Sequence, residues 1–449
     1  MSDEINRRDF MKRAAFSTAG AGLAVSGVGA TWVVGANDKI RVGVIGTGRE
    51  GRIVMADFLK QPDVEVVAVC DVYRPNLDKG LGDTGGKAKD YKDFREVLDR
   101  KDIDAVVIAT PDHWHALLTV LACQAGKDVY VEKPIASSIE EGKRMVEAAR
   151  KYNRVVQVGT EWRSNTYFQK GVQVVQDGLI GKVSYVRSWN YMNLYPEGVG
   201  NPANADPPEG LDWDLWLGPA PKVQYNWNRF GVGDRWSTFR YFWDYAGGWM
   251  TDWGIHYINV VQWAMKVDGP SAVVASGGKW YLQDNSETPD TLQATFGYPG
   301  FVATYENRLC NQGVDRDGGW GMEFYGTDGS VVLGDAGVQV YRDKRSHWSE
   351  SERDQNQVDR TPTMEMKGFE ETYAAHVRNF LDCVKSRQRP VSDIEIGHRA
   401  TTTCHLGNIA YRTQSRLVWD VANEKLLQGG AEAQKLLTVQ YRPPWKLVV

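Results

Sequence analysis

The chain has 449 residues, 42% of them hydrophobic, which is enough to bury a large core and to form two or three domains. Its net charge of -4 provides no basic surplus for a phosphate backbone, so we expect no nucleic-acid partner. The five cysteines contain no C-x-x-C pair, which argues against a zinc site and against a dense disulfide framework.

The amino-terminal segment is typical of an export signal. Residues 6–12 read NRRDFMK, which is similar to the twin-arginine signal, and a weakly apolar stretch follows as far as Val34. Several glycines interrupt that stretch, which disfavours a transmembrane anchor. We therefore expect residues 1–36 to be a signal read by the twin-arginine export machinery, with the mature protein in the periplasm or another extracytoplasmic space.

A glycine-rich turn follows the first strand-like run. Residues 40–45 are mostly apolar, residues 46–51 read GTGREG, and a helix-like apolar pattern begins at Ile53. In this setting the glycines let backbone amides and the amino end of a helix approach a pyrophosphate. The sequence therefore predicts dinucleotide contacts from Gly46, Thr47, Gly48, Arg49 and Gly51.

A carboxylate suited to a ribose ends the second strand-like run. Asp71 lies 20 residues after Gly51, where a dinucleotide-binding fold places its ribose-binding acid. The negative charge of Asp71 would repel a 2′-phosphate, which favours NAD. Arg74 follows closely and would suit that phosphate, so NADP stays open.

The first part of the chain alternates strand-like and helix-like runs. After the glycine turn they lie at 64–69, 94–98, 105–109, 115–125, 129–131, 139–151 and 155–158. Such alternation predicts a parallel sheet with helices on both faces. We expect residues 37–160 to form a Rossmann dinucleotide-binding domain within an α/β fold.

The second part of the chain has a different pattern, with strand-like runs and few helical ones between them. Strand-like runs between Gly, Pro and Asn turns lie at 182–189, 272–280, 291–296, 301–307, 322–325 and 338–341. Helical patterns at 373–384 and 397–411 precede a closing segment at 417–420, and residues 196–221 are typical of a long insertion. We expect residues 161–449 to form an α/β domain with a large, mostly antiparallel open sheet and carboxyl-terminal helices.

Three further groups of residues could carry chemistry. The first is Thr110, Pro111 and His115, which directly follow a predicted strand, at the edge where parallel strands line a ligand crevice. No third ligand is suitably spaced from His113 and His115, so we expect no metal site. The alternative role for His115 is a structural one at the start of a helix.

The second group, Glu132-Lys133-Pro134, also directly follows a predicted strand. Lys133 could donate to a substrate oxygen there, and burial beside a nicotinium charge would push it towards neutrality. A solvated lysine is the alternative.

The third group contains Asp252, His256 and Asn259. Their spacing puts them on one face of a helix, so we expect Asp252 to contact His256. A carboxylate beside an imidazole orients the ring and stabilises its charged form, which suits a general base. A purely structural buried pair is the alternative.

Together these motifs resemble the Gfo/Idh/MocA oxidoreductases, the family of glucose-fructose oxidoreductase and inositol dehydrogenase. The resemblance covers most of the mature chain, from the glycine turn and Asp71 through Glu132-Lys133-Pro134 to the segment from Asp252 to His256. It implies a Rossmann domain and a large open-sheet domain, with a sugar, polyol or sugar derivative bound between them. It also implies a homo-oligomer, a dimer or tetramer paired through the second sheet.

The resemblance implies residue roles as well. Lys133, Asp252 and His256 would be catalytic and contact substrate, and Arg163 and Asn259 would join them as substrate contacts. Thr110, Pro111, His115, Glu132 and Lys133 would add to the cofactor contacts. Hydride would pass from a hydroxyl-bearing carbon to a tightly held nicotinamide, while His256, oriented by Asp252, takes the proton and Lys133 stabilises the oxygen. Many family dehydrogenases have an aspartate where this chain has Asn259, which leaves substrate orientation open.

Two other readings remain. One branch of the same family consists of NAD-dependent glycoside hydrolases, which oxidise a sugar transiently and carry a similar export signal. That branch typically lacks the lysine that is present here as Lys133. The third reading, a sugar-binding protein with a vestigial cofactor site, is weakened because the motifs are intact.

Overall fold

The computed structural model describes residues 39–231, 237–312, 319–343, 362–366 and 372–449. The predicted export signal, residues 1–36, lies outside the described residues. Within those ranges no helix combines the length and the apolar character needed to cross a membrane.

Six parallel strands form the first sheet. They are β1 (Ile40–Ile45), β2 (Val64–Cys70), β3 (Lys89–Tyr91), β4 (Ala105–Ile108), β5 (Asp128–Val131) and β6 (Val156–Val158). The helices between them are α1 (Arg49–Leu59), α2 (Arg74–Asp83), α3 (Phe94–Asp99), α4 (Asp112–Gln124) and α5 (Ile139–Lys151). The spatial order β3-β2-β1-β4-β5-β6 confirms the predicted Rossmann-type sheet. Because the order reverses between β1 and β4, a crevice opens at the carboxyl ends of these strands.

The sequence analysis missed α2 and β3. Two glycines and Pro75 give α2 a weak helical pattern, so propensity alone does not define it. Packing explains the helix, since a Cβ on Gly80 would lie 2.7 Å from the Thr47 side chain. The close approach of α2 to the glycine turn therefore depends on the residue that weakens the helical signal.

Ten strands form the second sheet. They are β7 (Val183–Tyr191), β8 (Ala272–Gly278), β9 (Thr291–Tyr298), β10 (Phe301–Arg308), β11 (Trp320–Gly326), β12 (Gly329–Gly334), β13 (Gly337–Arg342), β14 (Met364–Met366), β15 (Leu417–Asp420) and β16 (Lys425–Gln428). Their order is β14-β13-β12-β11-β7-β10-β9-β8-β15-β16. The pair β7 and β10 is parallel, and the other pairs are antiparallel, so the predicted mostly antiparallel sheet is confirmed. Strand β12, a short buried apolar run between glycines, was missed.

Helices cover one face of the second sheet. The helices of this part are α6 (Thr166–Gln176), α7 (Trp213–Leu217), α8 (Trp227–Phe230), α9 (Gly248–Asp252), α10 (Gly254–Met265), α11 (Tyr373–Ser386), α12 (Ile394–Thr413) and α13 (Gly430–Lys435). Phe168 of α6, Ile258 of α10 and Leu406 of α12 share a buried cluster with side chains of the sheet. Helix α11 instead packs on the first sheet, where Val377 and Phe380 join the cluster around Phe58.

The predicted insertion folds over the crevice of the first sheet. The amide of Asp212 donates to the carbonyl of Val72, and the amide of Arg74 donates to the carbonyl of Gly210, each at 2.9 Å. The indole of Trp114 donates to the carbonyl of Trp216 at 2.9 Å. These bonds hold α7 beside the carboxyl ends of the strands, so the insertion forms a wall of the crevice.

Candidate active site

The glycine turn that joins β1 to α1 packs so closely that side chains would not fit at Gly46 and Gly51. Gly46 has φ +92°, and a Cβ there would lie 2.6 Å from the carbonyl oxygen of Ala109. A Cβ on Gly51 would lie 1.8 Å from the carbonyl oxygen of Gly46. Gly48 precedes α1 without a side-chain cap, so the amino end of the helix is open to an anion. The turn therefore fits a pyrophosphate.

Asp71 lies against this turn. Its carboxylate accepts hydrogen bonds from the amides of Thr47 and Tyr73, each at 2.9 Å. Burial raises the pKa of Asp71 to about 6, although the two amides lower it. Arg74 pairs with Asp78 at 2.5 Å and with Asp90 at 2.8 Å, so its guanidinium is already balanced by carboxylates. This arrangement suits a ribose with a free 2′-hydroxyl, as in NAD.

The crevice encloses about 1010 Å³ of empty space, including its open mouth. Its lining includes the glycine turn, Asp71, Lys133, Trp216 from the insertion and Phe239 from the 3₁₀ turn Thr238–Tyr241. The lining also contains Arg49, Thr110, Pro111, His115 and Glu132. All predicted cofactor contacts except Thr47 and Gly51, which pack beneath the turn, thus face one cleft of dinucleotide size.

His115 connects two of the loops that line this cleft. Its Nε2 lies 2.7 Å from the carbonyl oxygen of Thr110, and its Nδ1 lies 2.7 Å from that of Pro134. Both partners are backbone groups, so the ring links the loop after β4 to the loop after β5. The peptide bond between Lys133 and Pro134 is cis.

Lys133, Asp252 and Arg240 form a largely buried group that we call the ion cluster. Oδ1 of Asp252 accepts from Nζ of Lys133 at 3.1 Å and from Nε of Arg240 at 2.9 Å. Burial opposes ionisation of Asp252, but the two cations outweigh it and lower its pKa to about 2. Burial also disfavours the charge on Lys133, but Asp252 raises its pKa above the ordinary value. The sequence analysis expected burial to push Lys133 towards neutrality, but the Asp252 carboxylate outweighs burial and stabilises the charged form.

Among the described residues, Nδ1 of His256 makes no hydrogen bond to Asp252, which the spacing predicted it to touch. Helix α9 ends at Asp252 and α10 begins at Gly254, so the two residues do not share one continuous helix. Nδ1 of His256 instead lies 3.9 Å from Oε1 of Glu161 and has no hydrogen-bond partner among the described residues. The ring stacks on Trp162, with centroids 4.7 Å apart. Burial and the charge of Lys133 lower the pKa of His256 well below its ordinary value.

Glu132, Glu161 and His256 form a second buried group, which we call the acid pocket. Oε1 of Glu132 and Oε2 of Glu161 have no hydrogen-bond partner among the described residues. Burial raises the pKa of Glu161 to about 7, and it raises that of Glu132 well above the ordinary value. Glu161 lies in a single 3₁₀ turn, Glu161–Ser164, just after β6. Sequence analysis missed it, although it follows a parallel strand at the same edge as Lys133.

Arg240, the other residue missed, comes from a 3₁₀ turn at Thr238–Tyr241, beyond the insertion, where no strand or motif marked it. Asn259 lies one helical turn beyond His256, and its Oδ1 accepts at 2.7 Å from Nε of Arg163, which lies in the same 3₁₀ turn as Glu161. The guanidinium of Arg163 also lies over the ring of Trp263. Within the described residues, no group of three His, Cys, Asp or Glu side chains is arranged to hold a metal.

Curated proteins similar in sequence to this chain include a glycosyl hydrolase family protein and a dehydrogenase. A glycosyl hydrolase family 109 protein of Solibacter usitatus is 35% identical over 153 residues, which cover 31% of this chain and 35% of that protein. Inositol 2-dehydrogenase of Salmonella typhimurium is 31% identical over 158 residues, which cover 34% of this chain and 46% of that protein. The chain thus matches less than half the length of these curated relatives.

Solved structures show the same fold across most of the chain. The dehydrogenase WlbA of Bordetella pertussis, in complex with NADH and UDP-GlcNAcA, has a TM-score of 0.64 at 20% identity, covering 86% of this chain and 99% of that chain. A levoglucosan dehydrogenase, in complex with NADH and levoglucosan, has a TM-score of 0.62 at 21% identity, covering 85% of this chain and 99% of that one.

Two family models account for most of the sequence. Residues 40–160 match the NAD-binding Rossmann fold of the GFO_IDH_MocA oxidoreductase family, and residues 164–284 and 329–447 match the carboxyl-terminal α/β domain of that family. The chain therefore belongs to the Gfo/Idh/MocA oxidoreductase family, and its first domain is the NAD-binding Rossmann fold of that family.

Proposed function

We propose that the protein is an NAD-dependent oxidoreductase acting on CH–OH groups. It transfers hydride between a hydroxyl-bearing carbon of a sugar, polyol or sugar derivative and a tightly bound nicotinamide cofactor. The observation that carries this proposal is the position of Lys133, which lines the glycine-turn cleft and whose Nζ lies 3.1 Å from Oδ1 of Asp252, just before the helix that contains His256. Lys133 lines that cleft, and it is close enough to His256 for its charge to lower the histidine pKa.

The protonation states of the two side chains suit oxidation of an alcohol. NAD, when bound, supplies the acceptor for the hydride. Lys133 is held protonated by Asp252 and can donate from Nζ to the substrate oxygen, which stabilises the negative charge that develops there. His256 is neutral at physiological pH because burial lowers its pKa, so it can accept the hydroxyl proton.

The relatives support the substrate class. Inositol 2-dehydrogenase acts, by its name, on a polyol, and the two structural neighbours are dehydrogenases in complex with a nucleotide sugar and with levoglucosan. Each of these molecules carries several hydroxyl-bearing carbons on a ring. We infer the same chemistry for this chain's substrate.

The test is the reduced-nicotinamide absorbance of purified mature protein, given sugars, polyols and glycosides with excess NAD and, separately, NADP. Absorbance that rises with one class of sugar or polyol supports the proposal. A rise that stops at or below one equivalent per site indicates a captive cofactor, and a continuing rise indicates an exchangeable one. No rise with any member of the panel, in protein shown to bind NAD, contradicts it.

Similarity to the glycosyl hydrolase family 109 proteins favours a second candidate function, NAD-dependent glycoside cleavage through transient oxidation of the sugar. It predicts release of the aglycone from nitrophenyl glycosides without net accumulation of reduced cofactor. Dehydrogenation predicts the reverse, with absorbance from free sugars and no release from glycosides. Assaying both products on one panel separates the two functions.

We also propose that residues 1–36 direct export of the folded protein through the twin-arginine machinery to the periplasm. The NRRDFMK motif supports this proposal. Replacing Arg7 and Arg8 together with lysine should leave the protein in the cytoplasmic fraction, while unchanged export would contradict it.

A dimer or tetramer paired through the second sheet is a further part of the proposal. On the open face of that sheet, Val274 of β8 and Val302 of β10 are exposed. Light scattering on the purified protein tests this, since a monomer at micromolar concentration would contradict it.

A further inference from the structure

Part of the insertion crosses the crevice beside the glycine turn. The strand order β2-β1-β4 places this turn, which follows β1, between the loop after β2 and the start of α4. The amide of Asp212 donates to the carbonyl of Val72 in that loop, and the carbonyl of Trp216 accepts from the indole of Trp114 in α4. Residues 212–219, which we call the strap, are therefore attached on both sides of the crevice.

The carboxyl-terminal tail, residues 438–449, binds the strap through one arginine. Nη1 of Arg442 donates to Oδ1 of Asp214 at 2.8 Å, and Nη2 donates to the carbonyl of Asp214 at 3.0 Å. Nε donates to the carbonyl of Gly218 at 3.1 Å, and the amide of Arg442 donates to the carbonyl of Pro219 at 2.9 Å. The Arg442 side chain is only 16% exposed, so water competes little for these acceptors.

The tail itself is attached to the first domain along α4. The ring of Trp445 meets that of Trp114 edge-on, with centroids 4.9 Å apart. At the other end of α4, the side chain of Gln124 donates to the carbonyl of Val448 at 2.8 Å. Arg442 therefore connects the strap to a segment that is fixed on the first domain.

We propose that Arg442 is a positioning residue that latches the strap across the cofactor cleft and so slows both entry and release of NAD. Among the described residues, the cleft lining contains Leu215 and Trp216 of the strap but not Arg442. Arg442 thus stabilises the closed strap in the empty and the loaded protein alike. Its loss should raise the association and dissociation rates by a similar factor and leave their ratio, Kd, almost unchanged. Release of NAD involves no sugar, so this role is independent of the proposed reaction.

Exchange of NADH tests the latch without any substrate. Protein loaded with NADH is mixed with excess NAD in a stopped-flow instrument, and the loss of energy transfer from tryptophan to NADH gives the dissociation rate. Mixing NADH with nucleotide-free protein gives the association rate. We expect Arg442→Met to raise both rates about tenfold or more, because three side-chain hydrogen bonds to the strap are lost. Arg442→Lys should give intermediate rates, since one ammonium group cannot reproduce the planar fork of donors.

Arg387→Met is the matched control. Arg387 also binds a carboxylate and a backbone carbonyl, because its guanidinium donates to Oδ1 of Asp128 at 3.0 Å and to the carbonyl of Asn153 at 2.9 Å. Asp128 begins β5, so this group lies at the edge of the sheet opposite to the cleft. Arg387→Met should leave both NADH rates unchanged, even where it lowers the free energy of unfolding in urea titrations.

Unchanged NADH rates in Arg442→Met would overturn the proposal. So would a dissociation rate that rises while the association rate keeps its wild-type value, because Arg442 would then stabilise the binding site itself and not the closed strap. An equal increase in Arg387→Met would overturn it as well, since the effect would follow from a general loss of stability. No sugar takes part in these measurements, so failure of the latch and failure of the proposed function are distinguishable.

Discussion

The ion cluster and the acid pocket are neighbours, yet the pKa of the carboxyl group is shifted in opposite directions in the two. In the ion cluster, Asp252 binds two cations, and its pKa falls to about 2. In the acid pocket, burial is only partly compensated, and the pKa of Glu161 rises to about 7. The protonation of the ion cluster is therefore fixed near neutral pH, whereas a proton can enter or leave the acid pocket there.

This difference assigns different roles to the two groups. A fixed ion cluster holds Lys133 charged and in one place, which suits a group that must stabilise a developing oxyanion. A group that titrates near neutral pH suits the transfer of a proton. The two can be separated by substitutions that affect one group at a time.

The largest expected effect is on turnover, when the reactive side chain of the ion cluster or that of the acid pocket is removed. Lys133→Ala should lower turnover about 10²–10³-fold, because the donor to the substrate oxygen is lost. His256→Ala should lower it about 10²–10⁴-fold, because the base is lost. Steady-state rates measure both, and circular dichroism checks that each variant remains folded. Wild-type turnover in either variant would remove that residue from the mechanism.

Breaking the ion cluster from its centre should cost stability. Asp252→Ala leaves Lys133 and Arg240 buried without their shared carboxylate, which should lower the free energy of unfolding by about 3–5 kcal/mol in urea titrations at pH 7. The control is Asp83→Ala, which breaks the half-exposed Arg52–Asp83 pair and should cost about 0–1 kcal/mol. If both variants lost the same free energy of unfolding, the ion cluster would stabilise the fold no more than an ordinary surface ion pair does.

The pH dependence of that loss has a definite sign. The pKa of Asp252 is lowered to about 2 in the folded protein, so its stabilising contribution is complete above its ordinary pKa near 3.8 and is lost as the pH falls towards 2. The difference between wild type and Asp252→Ala should shrink over that window.

In the acid pocket, the pH dependence of the free energy of unfolding should have the opposite sign and be smaller. Folding raises the pKa of Glu161 from 4.5 to about 7, so the native state is destabilised as the pH rises through that window. Glu161→Gln removes this cost and should stabilise the protein by about 1–3 kcal/mol at pH 8 and by almost nothing at pH 4. A variant that is less stable than the wild type at pH 8 would show that Glu161 is held by favourable contacts.

The smallest effect is expected at Asp71, a half-buried carboxyl that accepts hydrogen bonds from backbone amides rather than from cations. Asp71→Asn should weaken NAD binding about tenfold in calorimetric titrations of nucleotide-free protein, because one charged contact to the ribose is lost. NADP should bind the wild type more weakly than NAD. Equal affinities for the two cofactors would contradict the role assigned to Asp71.

The sequence predicted the features that depend on local pattern. The glycine turn, Asp71 and Lys133 each come after a strand with a clear apolar run. Their position at the same edge of the first sheet could therefore be predicted. The predicted contact between Asp252 and His256 is not supported by a hydrogen bond, because the helix is interrupted at Trp253, where the amide of His256 donates to the carbonyl of Trp253 instead of to that of Asp252. Arg240 and Glu161 were missed because each lies in a single 3₁₀ turn and reaches the site through long-range packing.

Isotope transfer tests the central claim most directly. Wild-type protein is incubated with NAD in ordinary water and a mixture of sugars and polyols deuterated at carbon, and the nicotinamide cofactor is then recovered for mass spectrometry. Hydride transfer between a carbinol carbon and bound cofactor predicts one deuterium on the cofactor from the wild type, and a rate of labelling at least about 10²-fold lower from Lys133→Ala or His256→Ala. Unlabelled cofactor from wild-type protein that has bound NAD would contradict the account.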